Sequence, residues 1–410
     1  MEKLSTKRDI NSLALLCAMV YFISYISRIN LSAVMVEVVS SGFAPQTTAA
    51  LALTVNSITY GSGQLVSGYL GDKYKPQNII LAGFLLTGCV NICVGLLPVS
   101  APLVALWAVN GFAQALMWPP IVKILVSHMD TDAYAASSVK VSYGGNIGSI
   151  TVYLCAPLVI NLFSFRGVFL ICGSMALLMA LVWKLVYDKK YASAAAGTTG
   201  SAKKTDVSVP SGRFTGGILA LLAIVMVTVV LQGALRDGVA SWVPTYISDV
   251  FHLGSSVSIL TGAILPVFSI LCIAAANFLY RKVLRSEMLC AAVIFAVGCV
   301  SAVLLAVFSG KNAILSVLFL ALLSGSMHGV NLILTCMVPP HFARFGRTAL
   351  VSGALNSCTY IGAAISTYGI ALFSDAHGWD GTILLWAGIA LAGAAVCFLI
   401  LKPWKSFRIS

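Results

Sequence analysis

The chain alternates long apolar runs with short polar breaks. Twelve runs reach spanning length, roughly 20 residues each: 11–36, 47–70, 77–97, 101–127, 133–160, 165–187, 214–247, 255–280, 288–309, 313–338, 346–373 and 379–401. Inside a bilayer the backbone must satisfy its own hydrogen bonds, so each run predicts a membrane helix. The widest polar interruption, DKKYASAAAGTTGSAKKTDVSVPSGR (188–213), is rich in small residues and has no apolar periodicity. That composition predicts a flexible linker. It divides an all-α polytopic membrane protein into an N-terminal six-helix half, 1–187, and a C-terminal six-helix half, 214–410.

Composition agrees. The chain is 59% hydrophobic and only 9% charged, against about 25% charged in an ordinary soluble domain. A net charge of +12 would fit a nucleic-acid ligand, but its placement points elsewhere. With the N-terminus in the cytoplasm, most of the basic residues fall in the tails and the even connections, and only Arg166 and Lys311 fall in the outer ones. By the positive-inside rule this puts both termini in the cytoplasm, and the charge marks topology and anionic lipid, not nucleic acid. No short cleavable leader precedes the first run, so Met1 is expected to begin the mature chain. The 11 cysteines stand singly without C-x-x-C spacing, which favours small apolar packing residues over metal ligands or disulfides. No nucleophile–base pattern, metal cluster or phosphate-cradling glycine loop is visible. No enzyme, catalytic residue, metal or cofactor is expected.

Two permanent charges break the apolar pattern. Arg28 interrupts YFISYISRINLSAV in the first run, and Arg236 interrupts VVLQGALRDGVASWVPTY in the seventh. An arginine at a helix centre costs about 2.5–3.5 kcal/mol on insertion scales, so it calls for a reason. Each lies at a similar distance from a basic residue before its run, Arg28 from Arg8 and Arg236 from Arg213. If the halves are related by pseudo-twofold symmetry, the two guanidinium groups face a shared cavity and clamp one anion. Arginine suits that role because its planar fork binds phosphate or carboxylate oxygens in pairs and stays charged. The plain alternative is snorkelling to an interface or pairing with a local acid. Asp237 is adjacent, but neighbouring helical positions point about 100° apart and are not expected to meet. Tyr21, Tyr25, Arg28 and Ser32 form one polar-aromatic stripe at helical spacing,. On the seventh run Gln232, Gly233, Arg236 and Ala240 form the matching face, whose small residues are expected to leave room for a ligand.

The turn GYLGDKYKP after the second run sets Gly68 four residues before Asp72, with Lys73 next. It resembles the signature loop of the major facilitator superfamily, in which acid and base latch the ends of neighbouring helices. The corresponding turn of the second half, NFLYRKVLRSEM, keeps Lys282 and Arg285 but has Asn277 and Arg281 where the glycine and the acid would stand.

Within that superfamily the chain resembles the organophosphate:phosphate antiporters, which include bacterial glycerol-3-phosphate and hexose-phosphate transporters. The resemblance rests on Arg28-Ile29-Asn30 with Tyr21 and Tyr25, on NGFAQALMWPP (110–120) with Gln114 and a following Lys123, on Arg236 with WVPTY (242–246), and on GWDG (378–381). It implies a twelve-helix major facilitator fold and a carrier that commonly works as a monomer. Such a carrier exchanges a phosphorylated small metabolite for inorganic phosphate by alternating access, in keeping with a bacterial inner membrane. The expected substrate set adds Gln64 and Asn146, and also Asn356 and Tyr360, which sit four apart on one helical face, a spacing equally consistent with helix–helix hydrogen bonding,. Departures lie at Ile29 and Gln64, where the family and its glycerol-3-phosphate carriers have lysines, and at Gly145, where those carriers have a histidine. Lys140, Asp237 and His328 are gained. Lys140 fits either the cavity or a reach back to the cytoplasmic face, and His328 fits either a ligand or a hydrogen-bonded packing residue. Asp237 and His328 are also the candidate proton carriers of a competing function, proton-coupled symport of an organic anion. A membrane sugar-phosphate sensor is the third alternative.

Overall fold

The computed structural model describes residues 4, 6–192, 214–252 and 264–409. Among them every regular element is helical, with no strand. The expected linker lies largely outside the described residues, as does the start of the eighth run. The helices are α1 (Lys7–Ser40), α2 (Gln46–Lys73), α3 (Pro76–Leu96), α4 (Leu103–Ala115), α5 (Trp118–His128), α6 (Thr131–Tyr187), α7 (Gly216–Phe251), α8 (Ile264–Phe278), α9 (Glu287–Phe308), α10 (Ala313–Asn331), α11 (Thr348–Leu399) and α12 (Leu401–Ile409).

Helices and membrane passes do not correspond one to one. The 57 residues of α6 contain a break at Ser164 (φ 65°, ψ 175°), and the 52 residues of α11 contain one at Gly378 (φ 68°). Each is two passes joined at a single residue of positive φ, in the gaps that the apolar pattern leaves at 161–164 and 374–378. The fourth run reads as one helix, and here the structure differs. It separates α4 from α5 at Leu116–Met117. Pro119 and Pro120 have no N–H to donate to the preceding turn, so they occupy the first turn of a new helix. With α4 and α5 forming one pass, α6 and α11 two each, and the nine-residue α12 too short to cross, the described helices make twelve passes. α2 is the least apolar of these and does not reach the hydropathy of a membrane span by composition alone. Part of its polarity is buried: Asn56, Tyr60, Gln64 and Ser67 lie on its buried face.

The chain divides into two compact units. The first comprises Met1–Gly212 with Phe342–Ala354, and the second Arg213–His341 with Leu355–Ser410. In the first unit a buried amide network crosses the helices. Asn30 donates to Asn91 Oδ1 (2.7 Å), Asn91 to the Thr87 carbonyl (2.9 Å), and Asn110 to the Ser27 carbonyl (3.2 Å). All three asparagines are fully buried, so an unmet amide here would be costly, and the network fixes how α1, α3 and α4 pack.

In the second unit the carboxylate of Glu287, at the first turn of α9, accepts three hydrogen bonds and forms an ion pair with Arg408. Tyr280 Oη (2.8 Å) and His341 Nε2 (3.0 Å) reach one oxygen, while Trp404 Nε1 (2.8 Å) and Arg408 Nη1 (3.1 Å) reach the other. The last two belong to α12, so the residues after Pro403 are folded onto the unit.

Candidate functional site

In the first unit Arg28 is two-thirds of the way along α1 and half-buried. Its guanidinium carbon lies 4.7 Å from the Tyr25 ring centre and 4.2 Å from that of Tyr60. A guanidinium at such distances is attracted by the ring quadrupole, increasingly so as water is removed. Tyr25 follows from the stripe expected on α1. Tyr60, contributed by α2 and only 3% exposed, is not singled out by sequence, because no motif links it to α1. The stripe continues through Tyr21, whose ring is 4.9 Å from that of Tyr25 and 5.0 Å from that of Trp118. Gly145 packs on this aromatic pair: a Cβ there would stand 3.0 Å from both the Tyr21 and Tyr25 rings. The position that is histidine in the glycerol-3-phosphate carriers therefore has no space for a larger side chain unless the tyrosines move. Its neighbour Asn146 is half-buried and donates to the carbonyl of Ser142 (3.0 Å).

Other expected residues of this unit are not among the rings that Arg28 lies over. Gln114 is buried, accepts from the Ser24 hydroxyl and donates to Thr87 Oγ1 (3.4 Å), which makes it part of the polar core. Gln64 is fully buried, and neither polar atom of its side chain has a partner among the described residues. Lys140 is exposed and donates to Asn11 Oδ1 (2.6 Å) near the start of α1. At the signature loop Asp72 accepts from the backbone N–H groups of Ala349 (3.1 Å) and Leu350 (2.8 Å), at the first turn of α11. The base beside Asp72 is Lys123 of α5, whose Nζ is 3.3 Å from Asp72 Oδ1 and bonds its carbonyl at 3.1 Å. Lys73 is exposed, with its ammonium near the rings of Tyr69 and Tyr74. Gly68 lets α2 approach this helix start, since a Cβ there would meet the Ala349 carbonyl oxygen at 2.6 Å.

In the second unit Arg236 is paired. Its Nε and Nη2 each donate to one oxygen of Asp237, both at 2.7 Å. This corrects the expectation that the two would not meet. Their Cβ atoms do diverge, but the long arginine side chain folds laterally until its fork closes on the carboxylate. The guanidinium is the better buried partner, with side-chain exposures of 10% for Arg236 and 35% for Asp237. Tyr360 of α11 has its ring centre 5.8 Å from the guanidinium carbon. Ser324 of α10 bonds the Arg236 carbonyl (3.0 Å), and His328, one turn on, lies within electrostatic reach of the pair.

A second expectation fails one turn earlier on α7. Gly233 leaves no room for a ligand: a Cβ there would collide with the Thr359 carbonyl oxygen. Its small size serves the close approach of α11. Gln232 is likewise committed to packing, donating to the Met327 carbonyl (3.1 Å) and accepting from Thr359 Oγ1 (3.4 Å). Asn356, the other expected residue of α11, is buried. Near the end of α7, Asp249 accepts from Trp379 Nε1 (3.1 Å), which places the GWDG segment against that helix end.

The Major Facilitator Superfamily profile matches residues 17–367. A probable hexose phosphate transport protein of Chlamydia muridarum is 27% identical over 162 residues, 40% of this chain and 36% of that protein. A membrane sensor protein, UhpC of Salmonella typhimurium, is 26% identical over 167 residues, 40% of this chain and 38% of that protein. The chain thus aligns with little more than a third of the length of each. Among solved structures, the transporter FucP in the outward conformation superposes with a TM-score of 0.73 at 13% identity, covering 97% of this chain and 98% of that one. The proton:xylose symporter XylE superposes with a TM-score of 0.72 at 13% identity over 96% of each chain. At that identity these two establish the fold alone.

Proposed function

The chain belongs to the Major Facilitator Superfamily, and on that premise we propose that it exchanges a phosphorylated small organic metabolite, a sugar phosphate or similar organophosphate, for inorganic phosphate. Two six-helix halves, 1–187 and 214–410 with 188–213 between them, carry out alternating access in a bacterial inner membrane with both termini in the cytoplasm. The observation that carries this reading is Arg28, a permanent cation in the interior of a membrane helix, held on the rings of Tyr25 and Tyr60. A guanidinium is suited to an anion's oxygens because its planar fork can bond them in pairs and stays charged. The hexose phosphate transport relative supports the substrate class. Arg236 is the second anion contact in the cycle. Burying a cation at low dielectric is costly, and a bound anion lowers that cost as the protein closes. Turnover then requires a load in both directions, and that requirement is exchange.

Purified protein in phosphate-loaded vesicles tests the reading. Labelled phosphate should enter loaded vesicles and fail to accumulate in empty ones, and Arg28→Lys should lower the exchange rate at least tenfold. Uptake driven by an imposed pH gradient and indifferent to internal phosphate would replace exchange by proton symport through Asp237 or His328. The bidentate bond to Arg236 weighs against Asp237 in that role, because protonating the carboxylate would cost one of two charge-assisted bonds. The sensor relative makes a second reading specific: ligand binding with no flux in any vesicle would identify a sugar-phosphate sensor.

A further inference from the structure

The charge pattern keeps basic residues away from the expected outer side of the membrane, and Arg166 and Lys311 are the exceptions. Lys311 is exposed and donates to the Val307 carbonyl (2.9 Å), an ordinary helix-end contact. Arg166 is different. It is half-buried at the start of the second pass of α6, within the first unit. Its guanidinium carbon lies 5.4 Å from the Phe43 ring centre and 5.8 Å from that of Phe165. Ring faces attract a cation, but no carboxylate pairs with Arg166 among the described residues. A half-buried cation in apolar company calls for a counter-ion.

Arg166 opens onto a groove of about 600 Å³, in which it and Ser164 are the polar side chains among the described residues. Gly95 brings α3 close on one side, since a Cβ there would stand 2.8 Å from the Leu170 side chain and 3.2 Å from the Arg166 carbonyl oxygen. The apolar wall includes Leu96 and Phe163, each 65% exposed, and Ile171. Exposed apolar side chains of a membrane helix are a surface for lipid. Ser164 has φ 65° and ψ 175°, a region that glycine alone enters freely,. The break in α11 uses Gly378, whereas here a serine keeps its hydroxyl at the mouth of the groove despite the strain.

We propose that this groove is a binding site for an anionic phospholipid of the phosphatidylglycerol type, its phosphate on Arg166 and an acyl chain along the apolar wall. The planar fork of arginine bonds phosphate oxygens in pairs. One cation is matched by a headgroup with one negative charge. A zwitterionic headgroup would add an ammonium or choline, for which the groove offers no carboxylate among its described residues. A soluble phosphate would satisfy Arg166 but leave Leu96, Phe163 and Ile171 uncovered, and the extended apolar wall therefore selects a lipid.

The test uses full-length protein stripped of lipid in an uncharged detergent. Retention of dioleoyl phosphatidylglycerol and of dioleoyl phosphatidylcholine after gel filtration is measured over a range of lipid concentrations, with the unfolding midpoint as a second readout. The wild type is expected to retain phosphatidylglycerol at about a tenfold lower concentration than phosphatidylcholine. Arg166→Gln should abolish that preference without changing retention of phosphatidylcholine. Phe163→Asp, at an exposed position, puts a negative charge into the same groove and should abolish it by a second route. Glycerol 3-phosphate, which carries the phosphate without acyl chains, should not displace the lipid. Equal retention of the two lipids by the wild type would overturn the proposal, and so would a preference that survives in either variant. Displacement by glycerol 3-phosphate would overturn it in favour of a site for soluble anions.

Discussion

Arg28 and Arg236 are the same residue type at similar depth in their sequences, but their surroundings give them different chemistry. Arg28 lies over the faces of two tyrosine rings, while Arg236 is held by a carboxylate of opposite charge. Removing the Tyr60 ring should therefore act specifically on anion affinity. A cation–π contact contributes about 0.5–2 kcal/mol, growing as the site is desolvated. Tyr60→Leu is expected to raise the KM for labelled phosphate in counterflow about fivefold, and Tyr60→Phe, which keeps the ring, to leave it within twofold. Equal loss in both variants would mean that the hydroxyl matters and the ring does not. Part of this is legible in the sequence. Tyr21, Tyr25 and Arg28 share one helical face by spacing alone, whereas Tyr60 comes from another helix, and no periodicity within one element reports on contacts between elements. The pairing of Asp237 escapes sequence reasoning for a related reason: helical spacing fixes where Cβ points, but not where a side chain of four rotatable bonds ends.

Among the elements, the last turn of α2 shows how the start of one helix is held by the end of another. Asp72 accepts two N–H groups from the first turn of α11, groups that have no partner within their own helix,. A carboxylate there also favours the positive end of the helix dipole. Losing such a cap costs about 1–2 kcal/mol, and Lys123 would lose its anion as well. Asp72→Ala is accordingly expected to lower the unfolding midpoint in detergent by several degrees and Lys123→Ala by a smaller amount. Lys73→Ala, at an exposed position, should change stability by less than about 0.5 kcal/mol. If Lys73→Ala destabilised as much as Asp72→Ala, the base of the latch would be the adjacent lysine after all. The glycine, the acid and their position are readable from GYLGDKYKP, and so are the breaks at Ser164 and Gly378, because short polar gaps interrupt apolar runs there. The division of α4 from α5 is not readable in the same way, although Pro119-Pro120 stand in plain view. Hydropathy continues unbroken across them, and the two prolines end a helix through a missing donor, which an apolar count does not register.

At the scale of the molecule, Glu287 joins segments that are far apart in sequence, from Tyr280 through His341 to Trp404 and Arg408. A fully buried carboxylate is tolerable only with its oxygens satisfied, and here every bond it accepts comes from outside its own helix. Two of its four partners are on α12, Trp404 by a hydrogen bond and Arg408 by an ion pair, so those last residues should stabilise the second unit well beyond the apolar area they cover. A chain ending at Ile400 would strip one carboxylate oxygen of its hydrogen bond and its counter-ion, at about 1–3 kcal/mol. Glu287→Gln would leave the Arg408 and His341 side chains without their anion, a loss of similar or greater size. If the cluster acts as one unit, the two changes cannot be additive, because each removes what the other depends on. The truncated Glu287→Gln protein is expected to fall short of the summed losses by about 0.5–3 kcal/mol, read as unfolding midpoints of the four proteins in one detergent. Full additivity would mean that α12 and Glu287 contribute independently, and that the C-terminal helix is held by its apolar face alone.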